Sequence, residues 1–172
     1  MIDFKILDHI IDNEFIKYVN DFIIKNDFIN QPYFLKNENL NVLDFKKRNS
    51  FYMILNDGNI TQKLLKILKE NINSNIIFTN NIRIIKYQKE GHFIKHRDFI
   101  QNKEKNKSYT LILYLNDDYK EGNTILYDEE IKRVFTIPIK KNRILLFKPD
   151  ILHKGSKVKE GEKLILTTQI AF

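Results

Sequence analysis

From about residue 76 to the C-terminus the chain is a succession of short apolar runs of β character separated by Asn, Asp, Gly and Lys turns. No other feature limits its fold as much. Strands are expected near 76–79, 82–88, 92–98, 108–116, 123–128, 131–138, 142–148, 151–155 and 163–171, and short strands in such number suggest a sandwich or jelly roll. The last strand alternates: Leu164, Leu166, Thr168 and Ile170 form one mostly apolar face, and Lys163, Ile165, Thr167 and Gln169 the other. A lysine directed into a barrel requires an explanation.

Before residue 76 the period changes. Asp12 is placed to cap a helix whose Phe15, Ile16, Val19, Phe22 and Ile23 recur at helical spacing, and Leu64, Leu65, Ile67, Leu68 and Ile72 form a second stripe. Between them, residues 27–50 are polar and irregular, with Pro32 and several Asn, and read as a long loop with at most short extended pieces. Helices gathered in the N-terminal half would cover one sheet and leave the other end of the barrel open. The expected class is α+β: a jelly roll, or double-stranded β-helix, with N-terminal helices packed on one sheet. With 172 residues and no repeat, low-complexity tract or linker, one domain over 1–172 is expected, 1–75 being helical support and substrate-side loop and 76–172 the jelly-roll core.

Cysteine is absent, which excludes disulfide frameworks, thiolate zinc sites, iron-sulfur clusters and cysteine nucleophiles together. Any metal must be held by histidines and carboxylates. The opening MIDFKILDHIIDNEF sets acids among its apolar residues without a basic n-region, and no apolar run approaches membrane-spanning length. A soluble cytoplasmic protein with no membrane partner is expected. The net charge of +7, with Lys140, Lys141, Arg143, Lys148, Lys154, Lys157 and Lys159 late in the chain, raises an acidic partner such as nucleic acid. The competing reading is compositional. Ile, Asn and Lys are abundant and Ala171 is the only alanine, as an AT-rich genome imposes, and net charge informs association more than chemistry.

His96 and Asp98 lie two apart on an expected strand and project from one face, as two ligands of one metal would. Alone, such a pair is equally a surface hydrogen bond. His153, on the short run ILHKG, sits on a late strand that a jelly roll can bring beside the early one. Two histidines and a carboxylate on one face of an octahedron leave three positions open, the arrangement of non-haem iron(II) oxygenases. Lys163 follows His153 by ten residues, across Gly155 and the turn Lys159-Glu160-Gly161-Glu162. A hairpin there would set both side chains on neighbouring antiparallel strands facing the interior. A buried ammonium is costly without an anion, and the distal carboxylate of a metal-chelated 2-oxoglutarate has about the right reach.

From about residue 82 onward, RIIKYQKEGHFIKHRDF, YTLILYLNDDYKEGNTILY, NRILLFKPD and ILHKGSKVKEGEKLIL, in this order, resemble the prolyl 4-hydroxylase-like iron(II)/2-oxoglutarate-dependent dioxygenases. KRNSFYMIL at 47–55 is a fainter echo of the Arg-x-Ser segment that often precedes the barrel in that family. The resemblance implies that His96, Asp98 and His153 are the catalytic metal ligands, that Lys163 binds the distal carboxylate of 2-oxoglutarate, that Tyr114 hydrogen-bonds the same carboxylate, and that Tyr87 is a pocket tyrosine. It implies iron(II), 2-oxoglutarate and dioxygen, with ascorbate as reductant, and a prolyl residue of a peptide or protein as the group hydroxylated. Residues 27–50 and the edge near 99–107 become walls of a substrate groove. Two positions depart from the family: Glu121-Gly122-Asn123 stands where paired glycines are common, and Gln169 replaces a bulky or acidic residue six positions after the lysine.

Two other functions compete. The basic charge suits an oxidative nucleic-acid demethylase, although those enzymes usually anchor 2-oxoglutarate with arginine where this chain has Lys163. A jelly roll that keeps its metal pocket without turnover would be a binding module. Among single residues, His92 shares strand parity with His96 and either lines the same pocket or sits partly exposed at the strand start. His9 lies outside the motif, Tyr114 is either core or ligand contact, and Arg48 reads as a solvated loop charge.

Overall fold

The computed structural model describes residues 2–31, 33–35, 40–98 and 107–172. An aspartate starts each helix. Asp12 accepts a hydrogen bond from the Phe15 amide (2.6 Å) at the head of α1 (Asn13–Ile24), and Asp57 accepts one from Ile60 (2.9 Å) at the head of α2 (Gly58–Asn71). The strands of the N-terminal part are β1 (Phe4–Leu7), β2 (Ile29–Asn30), β3 (Tyr33–Leu35), β4 (Leu40–Val42), β5 (Arg48–Asn49) and β6 (Phe51–Ile54). Next come β7 (Ile77–Phe78), β8 (Arg83–Tyr87), β9 (His92–His96), β10 (Ser108–Tyr114), β11 (Lys120–Glu121) and β12 (Thr124–Asp128). The chain ends with β13 (Arg133–Ile137), β14 (Ile144–Phe147), β15 (Leu152–Gly155), β16 (Val158–Glu160) and β17 (Lys163–Ala171).

Two antiparallel sheets form the double-stranded β-helix. The larger has the order β1-β14-β10-β17-β8-β6-β2, with β7 also on β17, and the smaller has the order β13-β12-β15-β9-β5. Alternation along the strands builds a separate core on each side of the larger sheet. Its outer face gives Ile84, Leu111, Leu113, Leu146 and Leu166 to a core completed by Phe15, Ile16 and Val19 of α1 and Leu64 and Leu68 of α2. Its inner face gives Ile85, Ile112, Leu145, Phe147 and Ile165 to a second core shared with Leu126 and Ile137 of the smaller sheet. The helices therefore pack on one sheet, as the sequence predicts, and the inner core ends where polar side chains begin to line a cavity.

Every strand expected after residue 76 is present. The structure adds strands that the sequence does not reveal, because their pairing is remote. β1 pairs with β14, β6 with β8 and β5 with β9, so residues before 76 enter both sheets as well as forming helices. The hairpin expected between His153 and Lys163 does not form. β15 lies in the smaller sheet between β12 and β9, whereas β17 lies in the larger one between β10 and β8. The short β16 pairs with β11, and the turn at Gly161 (φ +76°) carries the chain from one sheet to the other. His153 and Lys163 thus belong to opposite walls of one barrel. Among the described residues, no helix is long and apolar enough to cross a membrane.

Candidate active site

The register of β9 against β15 places His96 opposite His153, and the chain leaving β9 brings Asp98 back between them. The Asp98 amide donates to the carbonyl of Pro149 (2.8 Å), which fixes that return. Asp98 Oδ1 lies 3.5 Å from His96 Nε2 and 3.7 Å from His153 Nε2, and one donor atom from each residue falls within 4.8 Å of the others. Both imidazoles are oriented in the same way: His96 Nδ1 is 2.8 Å from the carbonyl of Ile94, and His153 Nδ1 is 2.8 Å from that of Ile151. With a proton on Nδ1, each ring presents an Nε2 lone pair toward the carboxylate. Thr110 Oγ1 donates to Asp98 Oδ2 at 2.6 Å and so holds the third member.

Electrostatics favour an ionised Asp98 and a neutral His153. Burial opposes the charge on Asp98, but the neighbouring imidazoles and the Thr110 hydroxyl outweigh it and hold the carboxyl well below its usual range. Burial pushes His153 down to about 4, so its ring is neutral near pH 7. One carboxylate and two imidazoles, with open space beside them, fit a hard or borderline divalent cation such as iron(II).

Lys163 faces this group from the opposite sheet. It is 2 % exposed, its Nζ donates to the carbonyl of Gly122 (2.6 Å), and it lies 5.4 and 5.6 Å from the ring centres of Tyr87 and Tyr114. Among the described residues no carboxylate pairs with it, and burial alone pushes the ammonium down to about 7. Gly122 has φ +76°, and a Cβ there would come within 2.8 Å of Val158 Cγ2, so the carbonyl that receives Lys163 is held by a turn only glycine fits. A cavity of about 130 Å³ joins the two groups and is lined by His96, Asp98, His153, Lys163 and Tyr87 together with Arg48, Arg83, Thr110 and Thr124.

The remaining expected residues divide. Tyr87 lines the cavity. Tyr114 is fully buried, and its hydroxyl donates to Thr124 Oγ1 (2.7 Å), so Thr124 is the member of that pair on the cavity wall. His92 does not line the cavity, for its ring nitrogens are 2.9 and 3.0 Å from the carbonyls of Glu90 and Lys46. His9 is exposed at φ 69° in the turn before α1. The reading of Arg48 as a solvated charge is overturned: it lines the cavity, its guanidinium lies 4.0 Å from the centre of the Phe93 ring, and its Nε donates to Ser50 Oγ (3.1 Å). Phe93 in turn stacks on His96 at 3.5 Å. Pairing of β5 with β9 brings Arg48 here, and only its place in an Arg-x-Ser segment hints at this in the sequence. Thr110 and Thr124 were also missed, although Thr110 shares strand parity with Tyr114. Of the expected groove walls, residues 32, 36–39 and 99–106 lie outside the described residues.

Comparison with known proteins agrees with this geometry. The profile of the 2OG-Fe(II) oxygenase superfamily matches residues 82–170, which contain the His-x-Asp pair, the second histidine and the lysine, and the chain belongs to that superfamily. In sequence it is similar to an uncharacterized protein of Fowlpox virus (strain NVSL), 27% identical over 150 residues, covering 83% of this chain and 34% of the viral protein. The chain thus spans about a third of that relative's length. In fold it resembles a Pseudomonas putida prolyl-4-hydroxylase (TM-score 0.74, 10% identity, 100% of this chain and 94% of the other). It also resembles a Trichoplax adhaerens prolyl hydroxylase solved with a peptide fragment of the hypoxia-inducible factor oxygen degradation domain (TM-score 0.73, 17% identity, 98% of this chain and 83% of the other).

Proposed function

We propose that the chain is an iron(II)- and 2-oxoglutarate-dependent oxygenase that hydroxylates an unactivated C–H bond, with a prolyl residue of a peptide or protein as the leading acceptor. The observation that carries the reading is Lys163, a buried ammonium that no carboxylate among the described residues pairs with, on the same cavity as the His96, Asp98 and His153 group. A structural metal site would have no use for it. A dicarboxylate bound to the metal at one end needs such a cation at the other.

When bound, iron and 2-oxoglutarate supply the oxidising chemistry: dioxygen is consumed, 2-oxoglutarate becomes succinate and carbon dioxide, and one oxygen atom enters the substrate. The protein's part is to bind, orient and exclude water. His96 and His153, tied through Nδ1 to backbone carbonyls, keep both Nε2 atoms directed at one point. Thr110 restrains the Asp98 carboxylate to one orientation. Lys163 receives the distal carboxylate, with the Thr124 hydroxyl, itself held by the Tyr114 hydroxyl, beside it as a further donor to that end. The apolar walls of Ile85, Ile112 and Ile165 strengthen each of these interactions by keeping water away. Ascorbate is the proposed reductant for turnover without substrate.

Four of the late basic residues that favour a demethylase reading are engaged in ion pairs instead of forming a free basic patch. Lys140 and Arg143 both bind Asp8 (3.0 and 2.8 Å), Lys157 binds Glu90 (2.8 Å) and Lys159 faces Glu121 (3.4 Å). Purified protein supplied with iron(II), 2-oxoglutarate and oxygen should form succinate, and proline-containing peptides should gain one oxygen in mass. Turnover of a methylated oligonucleotide without reaction on any peptide would reverse this assignment. No succinate with either substrate class would leave a binding module.

A further inference from the structure

The cavity carries more positive charge than the proposed co-substrate uses. Asp98 is the only acid among its described lining residues, whereas Arg48, Arg83, Lys154 and Lys163 all reach it. Arg83 opens β8 and shares strand parity with Ile85 and Tyr87, so it points to the cavity side. Its Nε is shielded from solvent and has no hydrogen-bond partner, and among the described residues its guanidinium makes no ion pair. Thr167, its partner across the strands, donates its hydroxyl to the carbonyl of Leu111 (2.8 Å) and does not relieve it. A buried guanidinium N–H left unpaired is costly, and a planar fork of donors matches a carboxylate.

We infer that Arg83 forms a subsite for a carboxylate of the primary substrate, so that the residue to be oxygenated is presented beside an acidic side chain or a free C-terminus. The inference rests on the oxygenase reading of this cavity, but not on which residue is hydroxylated. A peptide fits the surroundings better than a nucleobase with its phosphate. The side-chain amides of Gln31, Asn80 and Asn81 on the same cavity suit peptide groups. A base would need a free aromatic face, and of the aromatic rings on the cavity Phe93 is contacted by His96 at 3.5 Å and Arg48 at 4.0 Å, and Tyr87 lies 5.4 Å from the Lys163 ammonium.

The test uses the whole chain loaded with manganese(II) and 2-oxoglutarate without oxygen, as wild type, R83Q and R83K. Each is exposed to a pool of random peptides, half amidated and half with free C-termini, and retained peptides are sequenced by mass spectrometry. Wild type should enrich peptides carrying Asp or Glu at a fixed position, or a free C-terminus, about tenfold or more over their neutral counterparts. The two arms tell the sources of the carboxylate apart. R83Q should bring that ratio close to one and R83K should keep part of it, with 2-oxoglutarate affinity unchanged and no fall in melting temperature in both. Equal enrichment by R83Q, or none by wild type that binds 2-oxoglutarate, overturns the subsite. So does an R83Q defect confined to a single-stranded oligonucleotide probe. Failure of wild type to bind 2-oxoglutarate defeats the oxygenase reading instead.

Discussion

His96 and His153 stand opposite each other on adjacent antiparallel strands with ring centres 4.1 Å apart, and each directs Nδ1 to the carbonyl two residues before it. The repeated restraint leaves the two Nε2 atoms facing Asp98 Oδ1. A divalent metal should therefore stabilise the fold. Manganese(II) or iron(II) at a hundred times its dissociation constant is expected to add about 2.7 kcal/mol, read as a rise in melting temperature. Asp98→Ala and His153→Ala should remain folded, lose the metal-dependent rise and lose metal-dependent succinate formation. Persistent activity in either variant would remove these residues from the site.

Thr110 acts on the metal only through Asp98. Thr110→Val removes the 2.6 Å hydrogen bond while keeping the side-chain shape. Metal affinity should fall about 10-fold to 100-fold, as measured by competition with a chelating dye. An unchanged affinity would show that the carboxylate needs no such restraint.

Lys163 should couple 2-oxoglutarate binding to protons. Burial lowers its ammonium from 10.5 to about 7 in the unliganded protein, and a bound carboxylate favours the charged form. Binding at pH 8 should take up protons, and affinity should weaken as pH rises above 7. Titration calorimetry in buffers of different ionisation enthalpy measures that uptake. The effect on stability has a definite sign. Between pH 7 and 10.5 the unfolded chain holds a proton that the folded chain has released, so unliganded stability rises with pH across this window. Lys163→Met should flatten that rise and abolish 2-oxoglutarate binding.

Gly122→Ala forces a Cβ to within 2.8 Å of Val158 Cγ2 at a positive φ. A loss of about 1–3 kcal/mol in urea unfolding is expected. The carbonyl receiving Lys163 belongs to this same residue, so apparent affinity for 2-oxoglutarate should fall as well. A variant of native stability and affinity would show that the turn can relax.

Local pattern carried much of this protein. Period-two alternation located the strands after residue 76, helical spacing and Asp12 located α1, and the identities and order of His96, Asp98, His153 and Lys163 pointed to one chemistry. Such features depend on residues a few positions apart, where strand parity and capping operate within the sequence itself.

What the sequence could not state is which strands meet. It suggested a hairpin joining His153 to Lys163, yet the turn at Gly161 sends the lysine to the opposite sheet, where it faces the metal group across the barrel. It read Arg48 as solvated, yet pairing of β5 with β9 lays that side chain on Phe93 in the cavity wall. Arg83 gave no signal at all. Its significance is a shielded Nε without a partner among the described residues, and that is a property of the packed structure alone. Residue types and local periodicity fixed the chemistry available to this chain, whereas long-range strand pairing decided which side chains share the cavity, because it joins residues whose separation in sequence says nothing of their distance in space.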